Sequence, residues 1–158
     1  MRTHDLTIGR TFGVTFDHDE DFLAAVGEAC RANGIRQGYI PMFIAGFAEA
    51  RIVGTCERLD DPVAPVQSSV YLTNTEVLGG GTLAYDPGED RVMPHIHITA
   101  GLKAHSATGH TSHLLSARVQ LLTEMVIVEI REPEMRRLPR PGPYRVPILR
   151  FGPEFDFD

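Results

Sequence analysis

Apolar and polar residues alternate strictly near the start of the chain, and a helical pattern then replaces this alternation. Over residues 6–16, apolar side chains and one arginine occupy the even positions, and threonine or glycine occupies the odd ones. A period of two predicts a strand with one buried face. Phe22, Val26 and Cys30 then recur at helical spacing, and Gly34 follows them. These positions predict one amphipathic helix that ends at Gly34, in the C′ position.

An acidic run, Asp17-His18-Asp19-Glu20-Asp21, separates the predicted strand from the helix. Carboxylates suit the positive end of the helix dipole, and we expect Asp17 or Asp19 to serve as the N-cap. A cation site is the alternative interpretation of the same run. Capping and solvation account for it more simply.

The chain from Gly34 to residue 131 is predicted to form successive strands. Pro41 indicates a sheet edge or a bulge. Gly79-Gly80-Gly81 indicates a bulge, or close approach of another backbone or a ligand, because it lacks the Lys-Ser/Thr of a phosphate-binding loop. One helix followed by many strands predicts an α+β fold, with an antiparallel-rich (mixed) β-sheet and one main helix. The candidate strands are residues 35–45, 48–56, 68–74, 76–85, 92–100, 113–117 and 121–130, with polar loops at 57–67 and 101–112.

Composition changes after residue 131. Six prolines between residues 133 and 153 predict that this region forms no regular structure, and six arginines between residues 131 and 150 make it locally basic. Its apolar side chains are too numerous for a solvated linker. We therefore expect a domain at residues 1–131 and a Pro/Arg-rich C-terminal extension at residues 132–158, which packs on the domain or on a neighbouring subunit.

The whole chain has 158 residues and a net charge of −6, which suits a single domain and argues against a nucleic-acid-binding surface. Charge segregated along the chain leaves DNA binding open. Cys30 and Cys56 are too far apart for a CxxC motif, and we expect both to be reduced thiols. With no apolar leader and no apolar run long enough for a membrane span, the expected location is the cytoplasm.

Histidines supply the candidate chemistry. His95 and His97 are two apart, so in a strand both rings lie on one face, with Ile96 and Ile98 on the other. A third histidine after the loop completes three nitrogen ligands, which with water is the pattern of an open zinc site. The spacing leaves the third ligand open, and imidazole also suits Fe, Ni and Cu. Five histidines lie within nineteen residues: His95, His97, His105, His110 and His113.

Glu124 is the one acidic residue that the sequence associates with this site. It lies in the strongly apolar segment 121–130, where a carboxylate needs a partner. Arg118 is one candidate partner. The other interpretation is that Glu124 faces the metal, as a ligand, as a partner of a ligand or as a general base.

The order and spacing of several segments resemble the PPC (plants-and-prokaryotes-conserved) domain family over roughly residues 5–131. The carriers are Gly9-Arg10-Thr11-Phe12-Gly13-Val14, the helix leading into Cys30-Arg31-Ala32-Asn33-Gly34, then Pro94-His95-Ile96-His97-Ile98 and His113-Leu114-Leu115. Glu124 follows His113 by eleven positions, where the family has an acidic residue. The resemblance implies a domain that tends to form trimers and holds a metal between histidines at the subunit boundary. It also implies a fold similar to that of acetolactate decarboxylase, a three-histidine zinc enzyme.

By this resemblance, His95 and His97 match the paired histidines and His113 matches the third. Thr111-Ser112 replaces the Gly-Gly that usually precedes the third histidine, and the connecting loop is slightly longer. Plant members join the domain to AT-hooks and bind AT-rich DNA. This chain has no AT-hook, and Arg137-Leu138-Pro139-Arg140-Pro141 is only a faint echo of one.

Two functions follow from these residues. The first is a zinc-dependent small-molecule enzyme, of lyase, dehydratase, decarboxylase or hydrolytic type, that acts on a small carbonyl or carboxylate substrate. His95, His97 and His113 would hold zinc or another divalent transition metal, and Glu124 would move a proton. The second is a DNA-binding or regulatory protein without catalytic activity. The acidic charge and the missing AT-hook favour the enzyme, which we expect to be a homotrimer that does not bind membranes.

Overall fold

The computed structural model describes residues 3–54, 68–139 and 147–152. One α-helix, α1, spans Phe22–Ala32, and a short 3-10 helix spans Lys103–His105. The strands are β1 Thr7–Asp17, β2 Gly38–Val53, β3 Ser69–Asp86, β4 Arg91–Leu102, β5 Thr108–Glu132, β6 Met135–Pro139 and β7 Pro147–Phe151.

The first five strands form one antiparallel sheet in the order β1-β5-β2-β3-β4. β5 pairs with β4 at its start, with β2 along its middle and with β1 at its end. Because β5 pairs with both β2 and β4, the sheet closes into a barrel-like shape. The predicted α+β fold with one helix is confirmed, and every described pairing is antiparallel.

The strands are longer than the sequence pattern predicts. Two predicted pairs of short strands are the continuous strands β2 and β3. The predicted loop at residues 101–112 is also wrong at its end, because β5 begins at Thr108 and continues the ladder with β4. The β4–β5 hairpin extends beyond the core through polar, exposed residues. Strand pairing between such residues cannot be predicted from the pattern of hydrophobic positions.

Helix α1 covers the inner face of the barrel. Phe22, Val26 and Cys30 are fully buried, and the Phe22 ring lies 5.0 Å from the rings of both Phe43 and Phe47. Burial raises the pKa of the Cys30 thiol to about 11, so it stays protonated, as expected of a buried reduced cysteine. Cys56 lies outside the described residues.

The N-cap of α1 is Asp21, so the prediction of Asp17 or Asp19 is wrong. The Asp21 carboxylate accepts a 2.9 Å hydrogen bond from the backbone N–H of Ala24. Asp17 is the last residue of β1, and Asp19 lies in the turn with a φ of 73°. The predicted end is confirmed, since Gly34 has a φ of 64° just beyond the C-cap.

β2 contains a bulge opposite the three glycines of β3. Its pairing with β3 shifts register between Ile40 and Phe43, which confirms the bulge predicted at Pro41. A Cβ on Gly81 would lie 2.3 Å from the carbonyl oxygen of His95, and one on Gly79 would lie 2.4 Å from the Phe43 ring. The glycines therefore permit the close backbone approach that their sequence predicts.

The C-terminal extension contains regular structure, contrary to expectation. β6 and β7 form an antiparallel hairpin in which Pro139 pairs with Pro147, so these prolines stand at strand ends, where a missing N–H costs little. Met135 is 2% exposed. Its N–H donates to Gln37 Oε1 at 2.8 Å, and Gln37 Nε2 donates to the carbonyl of Pro133 at 2.9 Å. The hairpin thus begins bound to the barrel.

An ion pair between Arg10 and Glu129 joins β1 to β5. The guanidinium of Arg10 donates from Nη2 to Glu129 Oε1 at 2.8 Å and from Nε to Oε2 at 3.0 Å. The Arg10 backbone N–H adds a third bond to Oε2 at 3.0 Å. These bonds lower the pKa of Glu129 to about 2.

Because the folded pKa of Glu129 lies below its ordinary 4.5, the pair stabilises the protein fully above that pH, and its contribution disappears as the pH falls toward 2. We expect Glu129→Gln to lower the free energy of unfolding by about 1–2 kcal/mol at pH 7, a value reduced for the exposure of Arg10, and by much less near pH 2. Urea unfolding at fixed protein concentration measures both. Glu76→Gln is the control, because Glu76 pairs with Lys103 while 65% exposed. An equal loss at both pH values would contradict this role of Glu129.

Candidate metal centre

Strand alternation places the paired histidines on the outer face of the barrel. Ile96 and Ile98 are each 1% exposed in the core, so His95 and His97 point the other way, as predicted. His97 and His113 are directly opposed on β4 and β5, which brings the third ring to the same face.

The three rings form one cluster. One nitrogen from each of His95, His97 and His113 lies within 4.8 Å of the others. Ring centroids are 4.7 Å apart for His95 and His113, 5.2 Å for His95 and His97, and 5.4 Å for His97 and His113. His113 Nδ1 is buried and has no hydrogen-bond partner, so this nitrogen lacks the bond that its burial requires. The donor set and this unpaired nitrogen fit a divalent transition metal.

The electrostatic environment favours the neutral form of His95 and His113. Burial, followed by the charges of Arg137, His113 and His97, lowers the pKa of His95 to about 4. The pKa of His113 is also lowered, mainly by burial and then by His97 and Arg137. Neutral imidazole is the form that binds metal ions, so both rings are ready ligands at neutral pH.

The other two histidines of the sequence cluster lie elsewhere. His110 pairs with Ala100, one of the core-facing positions of β4, and is three residues from His113. An odd spacing along a regular strand puts His110 on the opposite face from the cluster. His105 is exposed in the 3-10 helix. Neither joins the group that the structure assembles.

Glu124 is exposed on β5, and the structure does not place it beside the histidines of its own chain. Its Cα partners are Thr15 on β1 and Ile44 on β2. Ile44 pairs with Leu78, and Leu78 pairs with Thr99, two residues from His97. Directly paired residues share a face, so Glu124 lies on the same outer face but three strands away, on the order of 15 Å.

Arg118 is not the partner of Glu124. Its Nη1 donates to the carbonyl oxygen of Asp19 at 2.8 Å and approaches the Asp19 carboxylate at 3.4 Å. The alternative pairing considered from the sequence is therefore wrong. The acidic residue of β5 that binds an arginine is Glu129.

Arg137 lies beside the cluster, a position that the sequence pattern does not predict. Its Nη2 donates to the hydroxyl of Thr82, and Thr82 is the Cα partner of His95 across β3 and β4. Burial lowers the pKa of Arg137. Arg137 follows the third histidine by twenty-four positions and lies in the proline-rich region, so no local pattern connects it with the site.

A cleft of about 820 Å³ lies between α1 and the start of β4. Its polar side chains bind one another: Arg36 lies 3.7 Å over the Tyr85 ring, and the Tyr85 hydroxyl donates to Asp90. Among the described residues, the only group of three or more potential metal ligands is the histidine cluster. No described helix is long and apolar enough to span a membrane.

Comparison with known families gives one match over most of the chain. The model of the Plants and Prokaryotes Conserved (PCC) domain matches residues 4–131, which contain the three histidines and exclude β6 and β7. The resemblance inferred from the sequence is thus confirmed. A comparison with curated proteins finds no significant match.

Solved structures share the fold at low sequence identity. A metal-containing protein from Archaeoglobus fulgidus has a TM-score of 0.76 at 16% identity, covering 95% of this chain and 99% of that one. A protein from Ralstonia eutropha JMP134, provisionally described as DNA-binding, has a TM-score of 0.71 at 18% identity over 88% and 90% of the two chains. Alpha-acetolactate decarboxylase from Bacillus subtilis strain 168 has a TM-score of 0.52 at 12% identity, over 77% of this chain and 52% of the enzyme.

Proposed function

Since the chain belongs to the Plants and Prokaryotes Conserved (PCC) domain family, we propose that it is a metal-binding member of that family. His95, His97 and His113 would hold zinc or another divalent transition metal. The observation that supports this proposal most directly is that one imidazole nitrogen from each of the three histidines lies within 4.8 Å of the others. In addition, Nδ1 of His113 is buried and has no hydrogen-bond partner. The metal-containing relative from Archaeoglobus fulgidus agrees with it.

Metal analysis tests this proposal directly. Protein purified without chelator should carry about one ion per subunit, and EDTA should remove it. Because an ion that binds only the folded state stabilises it, removal should lower the midpoint of thermal unfolding and added zinc should restore it. Metal-free protein with a midpoint that does not respond to zinc would contradict the proposal.

The finer proposal is that the metal serves chemistry on a small carbonyl or carboxylate compound, of lyase, dehydratase, decarboxylase or hydrolytic type. Three histidines leave a coordination position open, and zinc there would polarise an oxygen of the substrate or lower the pKa of a bound water. The chain's own contribution is to keep His95 and His113 neutral and to orient the ligands on rigid, paired strands.

We further propose that Glu124 moves the proton in such a reaction and comes from a neighbouring subunit. Within one chain it is three strands from His95 and His97 and eleven residues along β5 from His113, so it does not reach them. Glu124 is bordered by apolar side chains that are exposed by 43% at Ile44, 40% at Met42 and 47% at Leu122. An apolar sheet face of this kind favours contact with another copy of the chain, and we propose a homotrimer.

DNA binding has weaker support. It rests on the description of relatives such as the Ralstonia eutropha protein, which at 18% identity shares the fold. Arg137, the first residue of the faint AT-hook echo, is bound to Thr82 beside the histidines and does not project from the surface. Arg140 and Pro141 of that echo lie outside the described residues. We therefore retain the metal-binding proposal.

A further inference from the structure

Arg137 carries a positive charge for which the described part of the chain supplies no carboxylate. Alternation along β6 places it on the same face as the buried Met135, toward the barrel. One guanidinium nitrogen donates to the Thr82 hydroxyl, and Nε is buried without a partner. A half-buried guanidinium with an unused donor is costly unless an anion binds it.

The neighbours of Arg137 increase the demand for an anion. The guanidinium lies close to the histidine rings, because it binds the hydroxyl of Thr82, the residue paired with His95, and its charge lowers the pKa of both His95 and His113. The histidine group includes no acidic ligand, so a divalent ion on three neutral imidazoles would keep its full charge. Metal and arginine together therefore make a strongly positive site on a protein whose net charge is −6.

The distance between Arg137 and the histidine rings limits the size of an anion that could contact both the guanidinium and the metal. Thr82 and His95 are directly paired, and such side chains lie about 5 Å apart at Cβ. A guanidinium bound to the Thr82 hydroxyl is thus one cross-strand step from the histidine rings. A compound of a few atoms spans this step, with a carboxylate on the guanidinium and a second oxygen at the open metal position.

We propose that Arg137 and the three-histidine centre form one anion subsite for small 2-hydroxy or 2-oxo carboxylic acids. The guanidinium holds the carboxylate, the Thr82 hydroxyl fixes the guanidinium, and the metal takes the hydroxyl or oxo group. This inference rests on the proposed function, since the metal is one of its two anchors. Because Arg137 belongs to β6, the β6–β7 hairpin, which lies outside the matched family domain, would determine which ligands bind.

Cobalt-substituted protein titrated with lactate tests the subsite without an activity assay. We expect lactate to change the visible absorption of the cobalt centre with saturation, and 1,2-propanediol, its neutral analogue, to leave the absorption unchanged. Arg137→Gln should weaken lactate binding about 10- to 100-fold, because a charge-assisted pair is lost. Arg137→Lys keeps the charge and the aliphatic stem, so we expect it to fold as the wild type does and to lose less affinity.

Arg136→Gln is the matched control, because Arg136 alternates to the other face of β6 and pairs with Glu134 at 2.8 Å. It should bind lactate as the wild type does. If the wild type has normal cobalt content but does not bind lactate, the anion subsite alone is overturned. The same holds if both Arg137 variants bind lactate as tightly as the wild type does. A wild type that takes up no cobalt overturns the metal centre and the subsite with it.

Discussion

His95→Ala is expected to reduce the metal content from about one ion per subunit to below about 0.1. The variant loses one of only three protein ligands, and a site with two imidazoles holds zinc far more weakly. The side chain contributes little to the core, because the inward neighbours Ile96 and Ile98 carry the burial at this part of β4. Elemental analysis after gel filtration without chelator gives the occupancy.

His110→Ala is the matched control for this experiment. His110 belongs to the same histidine cluster in sequence and lies on the same hairpin, but on the opposite face from His113. We expect it to retain full occupancy. Normal metal content in His95→Ala, or loss in His110→Ala equal to that in His95→Ala, would show that the assigned ligands are wrong.

Ile44→Asp is expected to convert the proposed homotrimer, of about 52 kDa, into single chains of 17.5 kDa. Ile44 is 43% exposed beside Glu124 in the middle of the apolar outer face. Burying the new carboxylate against another subunit costs several kcal/mol. This cost exceeds the stabilisation that the Ile44 side chain supplies when it is buried in the subunit contact. Light scattering coupled to gel filtration measures the mass, and Leu6→Asp, at a residue 42% exposed before β1, is the control.

The same variant tests the origin of Glu124. If a neighbour supplies this carboxylate, Ile44→Asp and Glu124→Gln should alter the pH dependence of the cobalt absorption in the same way. Both would leave the three histidines in place. A wild-type mass in Ile44→Asp, or a pH dependence that only Glu124→Gln changes, would contradict the shared site.

Part of the site follows from local geometry. His95 and His97 share a face because side chains alternate along any strand, and the apolar Ile96 and Ile98 identify the buried side. The helix that begins at Phe22 was predictable for the same reason, since its apolar spacing and Gly34 are local signals. The N-cap was not, because several acids precede the helix and the turn geometry selects Asp21 among them.

Long-range pairing decides the remainder. The register of β4 against β5 brings His113, and not His110, to the face of His97. The strand order β5-β2-β3-β4 separates Glu124 from His95 and His97 by three strands, although all three lie on one continuous face. Local periodicity predicts neither result, because register depends on which strands meet; only the family resemblance pointed to His113.

By itself, then, the sequence determined the strand-and-helix class, the paired histidines on one strand face and the apolar side that anchors them. These features depend on backbone periodicity over a few residues. The family resemblance had pointed to His113, but only the tertiary structure placed its ring on the face of His97, set the distance to Glu124 and brought Arg137 beside Thr82. Those contacts join segments far apart in the chain, and the closed sheet and the returning C-terminal hairpin create them.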